Sequence, residues 1–417
     1  MKKITITNAY TWYNKGDAGI LLGIVETLKK IYNNDVEIDV LSFTPDDDKI
    51  RYCKDEKINN VYSNVLNPFP YKHTKFGKIN AIVKLFFSML YQYIMVNLSK
   101  KNLIKRYENY KSLEKSDYII VCGGGFLGGK KFDSFMHLFQ IYVNTKFDKK
   151  VIMMGTSIEP ITNKFVRKVT EKVLKKVDFI YAREVITFDY LKEFMPENKI
   201  ELIPDMAFML KDVKEKIKYV TEWKEKYDLI YGLTVRKWNF PGESNGKKLF
   251  ENYKKELAKF IEYKAKKDNS LFVFVPQVIV EHGNDADVAR DIKELLDDNI
   301  KDHFIILEND FHPNEIKQLI WNFDYFIGTR MHSNIFATSM IIPTIAIAYE
   351  KKTNGIMHTV ELDDFVLEMN NLKFEYLKEK TEKQISDDKK IRMQLENRIN
   401  EIRIEILEKI NKVIKEV

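Results

Sequence analysis

The sequence is poor in the residues that most often announce a function. It carries two cysteines in 417 residues, Cys53 and Cys122. Two thiols so far apart supply neither a zinc cluster nor a disulfide scaffold, and a reducing compartment fits them. Charge of one sign is also lacking: 68 Lys and Arg against 61 Asp and Glu leave a surplus of only +7. A dedicated nucleic-acid binder needs a denser basic stripe, so nucleic acid is excluded as a partner. No carboxylate cluster or His pair has metal-ligand spacing, so neither a metal nor a cofactor is expected. Arginine is scarce, ten of the 68 cations. Lysine mostly solvates helix faces, whereas guanidinium is selected where an anion must be gripped in two places. The arginines are therefore the cations to follow.

What is present is an alternation of strand and helix patterns. Apolar, β-branched runs occupy 4–7, 36–43, 118–122, 151–157, 179–182 and 200–203. After a lysine-rich stretch at 211–227 they resume at 229–236, 271–276, 304–307, 325–329 and 343–349. Helical patterns between them imply parallel sheets covered on both faces. The expected fold class is α/β: two doubly wound, Rossmann-like domains at 1–210 and 211–375, facing a cleft. Ligands in such sheets bind beyond the carboxyl ends of the strands. From Leu395, apolar residues recur at Ile399, Ile402, Ile406, Ile410, Val413 and Val417, an amphipathic helix within 376–417. It packs back across the domains, the preferred reading, or forms a seam with a second chain in a homo-oligomer.

Two further features bear on location. The start, MKKITITN, alternates like a first strand and lacks the apolar run and cleavage site of a signal peptide, which points to the cytoplasm. The segment 79–98 is long and apolar but interrupted by Lys84, Ser88 and Gln92, and KKNLIKR follows it. A buried or interdomain helix is the preferred reading. The other is a monotopic helix in the headgroup layer, giving peripheral membrane contact.

The strand ends hold the candidate chemistry. Asp17, beside Gly16, reads either as a helix N-cap or as a substrate contact. The run Gly123 to Gly129 contains five glycines, including Gly124 and Gly125, in a loop able to present backbone amides to an anion. It is neither a P-loop nor a dinucleotide fingerprint. Arg183, Arg236 and Arg330 each stand directly after an apolar strand, and Lys352 follows another. Singly, each is a salt-bridge candidate; together they suggest a site for a compact, multiply charged anion. His332 shares the turn with Arg330 and is placed for acid–base work. Glu159 and Asp205 are strand-end carboxylates that read as acceptor contacts or as caps.

At these residues the chain resembles the polysaccharide pyruvyl transferase family. NKGDAGILLGIVETL, VCGGGFLGG, YAREVITFDYL, IPDMAFML and GLTVRKW carry the likeness, with DYFIGTRMHSNIFATSMIIPTIAIAYEKKTNG the most specific segment. The resemblance implies a GT-B-like fold and transfer of the enolpyruvyl unit of phosphoenolpyruvate (PEP), a co-substrate, to two hydroxyls of one sugar. The product is a pyruvate ketal on a capsule, exopolysaccharide or other cell-envelope saccharide, whose precursor is often lipid-linked. It implies Arg330 and His332 as the PEP-contacting pair, with Lys352 beside them, then Arg183 and Arg236. Two alternatives stay open at this point: a GT-B glycosyltransferase using a nucleotide sugar, and a non-catalytic glycan-binding or assembly protein.

Overall fold

The computed structural model describes residues 1–53, 58–67, 75–128, 133–279 and 284–416, without the side chains of 75, 76, 78, 133 and 416. Each apolar run forms a strand, because β-branched residues fit a pleated surface buried on both faces. Eight strands build the first sheet: β1 (Lys2–Ala9), β2 (Val36–Ser42), β3 (Asn60–Ser63), β4 (Tyr118–Val121), β5 (Gly124–Leu127), β6 (Lys150–Ile158), β7 (Phe179–Ala182) and β8 (Ile200–Leu202). Six build the second: β9 (Leu229–Thr234), β10 (Ser270–Phe274), β11 (Phe304–Ile306), β12 (Tyr325–Gly328), β13 (Thr344–Ala348) and β14 (Val366–Glu368). All their pairings are parallel.

The two sheets share one winding rule. The first runs β3-β2-β1-β4-β6-β7-β8, with β5 beside β6; the second runs β11-β10-β9-β12-β13-β14. In each the chain winds outward, returns to the centre and winds out on the other side. The order therefore reverses between β1 and β4, and again between β9 and β12. Helices diverge from such a point and leave a crevice at the carboxyl ends of the two flanking strands.

Three strands escape the hydrophobic pattern. β3 and β14 are four and three residues long and stand at sheet edges. β5 replaces the expected glycine loop: Gly124 and Gly125 lie in a strand against β6 rather than at a helix start. A Cβ on Gly123 would overlap the carbonyls of Met154 and Gly155, so that glycine serves close strand packing. Gly129 lies outside the described residues.

The chain divides into two compact units, 1–12 with 20–209 and 405–417, and 13–19 with 210–404. The C-terminal region is not a separate piece. It forms the helices Phe374–Ser386 and Asp388–Glu416, and the second begins in one unit and ends in the other. Its stripe is buried throughout, Leu395, Ile399 and Ile402 in the second unit and Ile406, Ile410 and Val413 in the first. Val417 lies outside the described residues.

The helix Lys75–Leu98 departs from the preferred core-helix reading. Only a narrow strip, centred on Leu85 and Val96, is buried, while Ile79, Phe86 and Phe87 are more than half exposed. An apolar composition thus does not bury this helix; the unit simply offers it one face.

Candidate active site

In the second unit the four central strands deliver one group each. Arg236 leaves β9 and Arg330 leaves β12, so the two guanidiniums flank the order reversal of the sheet. Tyr349 follows β13, and Asp285 begins the helix Asp285–Glu294 beyond β10. Fully buried strands hold these ends in place, with β10, β12 and β13 showing no exposed residue.

Arg330 is held like a fork. Its Nε donates to Asp285 Oδ2 at 3.0 Å and its Nη2 to Oδ1 at 2.6 Å. Asp285 is buried, 1% exposed, and Arg330 keeps 17%. Burial pushes the Asp285 carboxyl above its ordinary range, against the pull of Arg330 and Arg236. The backbone is pinned as well. Thr234 Oγ1 accepts from the amide of Thr329 at 3.1 Å and meets Ser333 Oγ at 2.8 Å, while Ser333 Oγ donates to the Arg330 carbonyl. Beneath the turn, the buried phenol of Tyr253 meets Thr329 Oγ1 at 2.8 Å.

Arg236 is held by rings instead of a carboxylate. Its guanidinium lies 4.3 Å from the Tyr349 ring centre and 5.0 Å from that of Trp238, and it donates to the Tyr349 hydroxyl. Burial raises the Tyr349 phenol, opposed by the charges of Arg236 and Arg330. Two guanidiniums and one buried carboxylate leave a net positive site. The helices Met331–Ser339 and Lys351–Thr359 also start here, and their N-termini favour an anion.

His332 sits in the first turn of Met331–Ser339, half-buried. The segment 13–19 belongs to the same unit, and Gly16 packs against the imidazole so closely that a Cβ there would overlap it. Asn14 caps the helix Lys15–Ile31 by accepting from the amide of Gly16, and it donates to Asp17 at 2.6 Å. The cap is therefore Asn14, with Asp17 in the first turn. Lys15 is fully buried against Asp310, and its amide donates to the Gln277 carbonyl. Lys352 lies in the first turn of Lys351–Thr359, three residues past Tyr349.

The expected residues do not all belong to this unit. Arg183 belongs to the first unit, where its Nη1 donates to Asp205 at 2.6 Å and its Nε and Nη2 donate to Ser157 Oγ. Both partners of that ion pair are buried. Asp205 also accepts from the amide of Ala207. Glu159, half-buried, follows β6 in the same unit. A cavity of about 440 Å³ there, lined by Tyr62, Ser88, Tyr91, Gln92, Tyr107 and Tyr110 among others, includes none of the anticipated residues.

Sequence reasoning missed Asp285, Lys15 and Tyr349 as site groups. Asp285 sits in Asn284-Asp285-Ala286-Asp287, an ordinary helix-start pattern, and only its partner gives it a further role. Tyr349 ends an apolar run at a strand exit, which was a usable signal.

A family model described as polysaccharide pyruvyl transferase matches residues 14–351. The amylovoran biosynthesis protein AmsJ of Erwinia amylovora is 22% identical over 396 residues, which cover 89% of each chain. Among solved structures, the UDP-GlcNAc 2-epimerase of Methanocaldococcus jannaschii has a TM-score of 0.57 at 15% identity, covering 92% of both chains. The Neisseria meningitidis UDP-GlcNAc 2-epimerase bound to UDP-GlcNAc has a TM-score of 0.56 at 14% identity, covering 100% of both. HepE of Anabaena, in complex with UDP and glucose, has a TM-score of 0.55 at 12% identity, covering 100% of this chain and 99% of its own. These likenesses show an α/β, GT-B-like fold of doubly wound, Rossmann-like domains.

Proposed function

The chain belongs to the polysaccharide pyruvyl transferase family, and from that premise we propose that it ketalises a sugar with PEP during the synthesis of a cell-envelope or capsule saccharide. The observation that supports this reading best is the placement of Arg236 and Arg330 on either side of the sheet's order reversal. PEP carries a carboxylate and a phosphate, and both accept a guanidinium fork. One guanidinium backed by a buried carboxylate and one stacked on aromatic rings give two oriented cations on rigid supports. Lys352 and the two helix N-termini add positive potential for the phosphate.

The reaction balances without an outside reagent. A proton reaches the methylene carbon of PEP, and a sugar hydroxyl adds to the C2 electrophile so formed and gives up its own proton. The C2–O bond to phosphate then breaks, the pair leaving with phosphate, and a second hydroxyl closes the ketal. Its proton ends on the phosphate. His332, in the turn with Arg330, is the group we assign to these transfers, as acid at carbon or base at the hydroxyl. Asp17 and Glu159 are candidates for the acceptor. Arg183 is assigned to the frame of the first unit. The reaction is taken to occur in the cytoplasm, where PEP is made.

Incubation with PEP and a mixture of saccharide precursors tests this. Phosphate release together with a product heavier by pyruvate less one water is expected. Thermal stabilisation by UDP-sugars and not by PEP would move the assignment to a nucleotide-sugar glycosyltransferase.

A further inference from the structure

The helix Lys75–Leu98 is amphipathic in an inverted sense. Its anchored strip carries Ala81, Leu85, Ser88, Gln92 and Val96, two of them polar. The opposite strip carries Ile79, Val83, Phe86, Phe87, Leu90 and Ile94 at steps of three and four, every one exposed. Water alone would select polar residues at those positions. Single exposed apolar residues are ordinary, but a continuous strip of six marks an interaction surface.

Charge identifies the partner. Between Glu56 and Glu108 the sequence has no Asp or Glu, although the chain averages about one acid in seven residues, while nine Lys and Arg fall in that interval. Lys101, Lys105 and Arg106 are exposed on or beside the next helix, Lys100–Arg106. A second copy of this chain would bring like charges face to face across the apolar strip. An anionic surface is attracted instead.

We infer that this helix and its basic flank are a landing surface for an anionic bilayer, lying in the headgroup layer with Phe86, Phe87, Leu90 and Ile94 immersed. The helix is held on the unit and does not cross the membrane. Tyr110 donates to Gln92 Oε1 at 2.6 Å, Gln92 donates to the Val65 carbonyl, and Asn97 donates to the Tyr142 hydroxyl at 2.8 Å. Tyr93 stacks on Tyr142, with ring centres 5.5 Å apart. Spanning would tear these contacts away. The inference stands apart from the identity of the donor.

Co-sedimentation of the full chain with vesicles of equal parts phosphatidylglycerol and phosphatidylcholine tests it, with pure phosphatidylcholine as the comparison. Binding to the anionic vesicles that weakens with salt is expected. The exposed changes Phe87→Asn, Leu90→Gln and Ile94→Gln together should reduce binding by roughly tenfold or more. Lys101→Glu, Lys105→Glu and Arg106→Glu together should remove the preference for anionic lipid. In cells, alkaline carbonate should release the wild-type protein from membranes, and retention through that wash would indicate spanning and overturn the inference. Wild-type protein left in the supernatant would also overturn it. So would apolar variants that bind vesicles normally but turn a dimer into a monomer in sedimentation, which would make the strip a self-association face.

Discussion

Replacing Asp285 by Asn separates holding an arginine from merely having one. The substitution keeps the volume and one acceptor oxygen but turns an NH2 toward the guanidinium, so one of the two bonds at 3.0 and 2.6 Å is lost together with the charge. Removing one partner of a buried ion pair costs about 3–5 kcal/mol. Two effects reduce that here. Burial already pushes the Asp285 carboxyl upward, so neutralising it recovers part of its desolvation, and Arg330, 17% exposed, regains some hydration. About 2–3 kcal/mol is expected, or roughly 5–10 °C in the melting of a unit of this size. The kinetic consequence differs in kind. The site gains one net positive charge, so KM for PEP should stay level or fall, while kcat falls about a hundredfold as Arg330 loses its fixed direction. Phosphate release measured against PEP concentration reads both constants. Unchanged kcat with the expected loss of stability would refute orientation by Asp285, and unchanged stability would refute the energetics.

Gly16→Ala places a methyl group in the His332 ring. In an ordinary helix this change is favourable by about 1 kcal/mol, so lost phosphate release with an unshifted or modestly lowered melting point is expected; full activity would show that His332 is not confined. Asp205→Asn should destabilise the first unit by about 3–5 kcal/mol in urea, because it strands the buried Arg183, while leaving KM for PEP unchanged in the surviving fold. A raised KM would return Arg183 to the donor site. Asp48 gives the pH dependence. Burial lifts its carboxyl to about 6, against roughly 4 in an unfolded chain. The native state therefore holds more protons between those values, and stability falls as pH rises through them, by about 3 kcal/mol in full. Asp48→Asn should flatten that slope and add about 1–3 kcal/mol at pH ~8 in urea titrations; an unchanged slope would clear Asp48.

Periodicity alone determined much of this protein. Eleven of the strands lie on apolar runs visible in the sequence, because a strand buried on both faces must be apolar throughout. The C-terminal stripe was likewise visible, since burying one face of a helix imposes a step of three and four. Arg236 and Arg330 could be picked out because a cation at the end of an apolar strand has no solvation reason to be there. The identical reasoning also selected Arg183, whose buried partner Asp205 lies 22 residues away. Pairing across such distances leaves no local mark, so only the tertiary structure shows which carboxylate each arginine holds. It alone supplied Asp285 for Arg330, the aromatic cradle of Arg236, and the packing of Gly16 against His332. It also turned the glycine loop into β5 and left the apolar helix exposed. Composition records what a segment prefers to avoid; which surface a folded unit presents to it is settled by every other element.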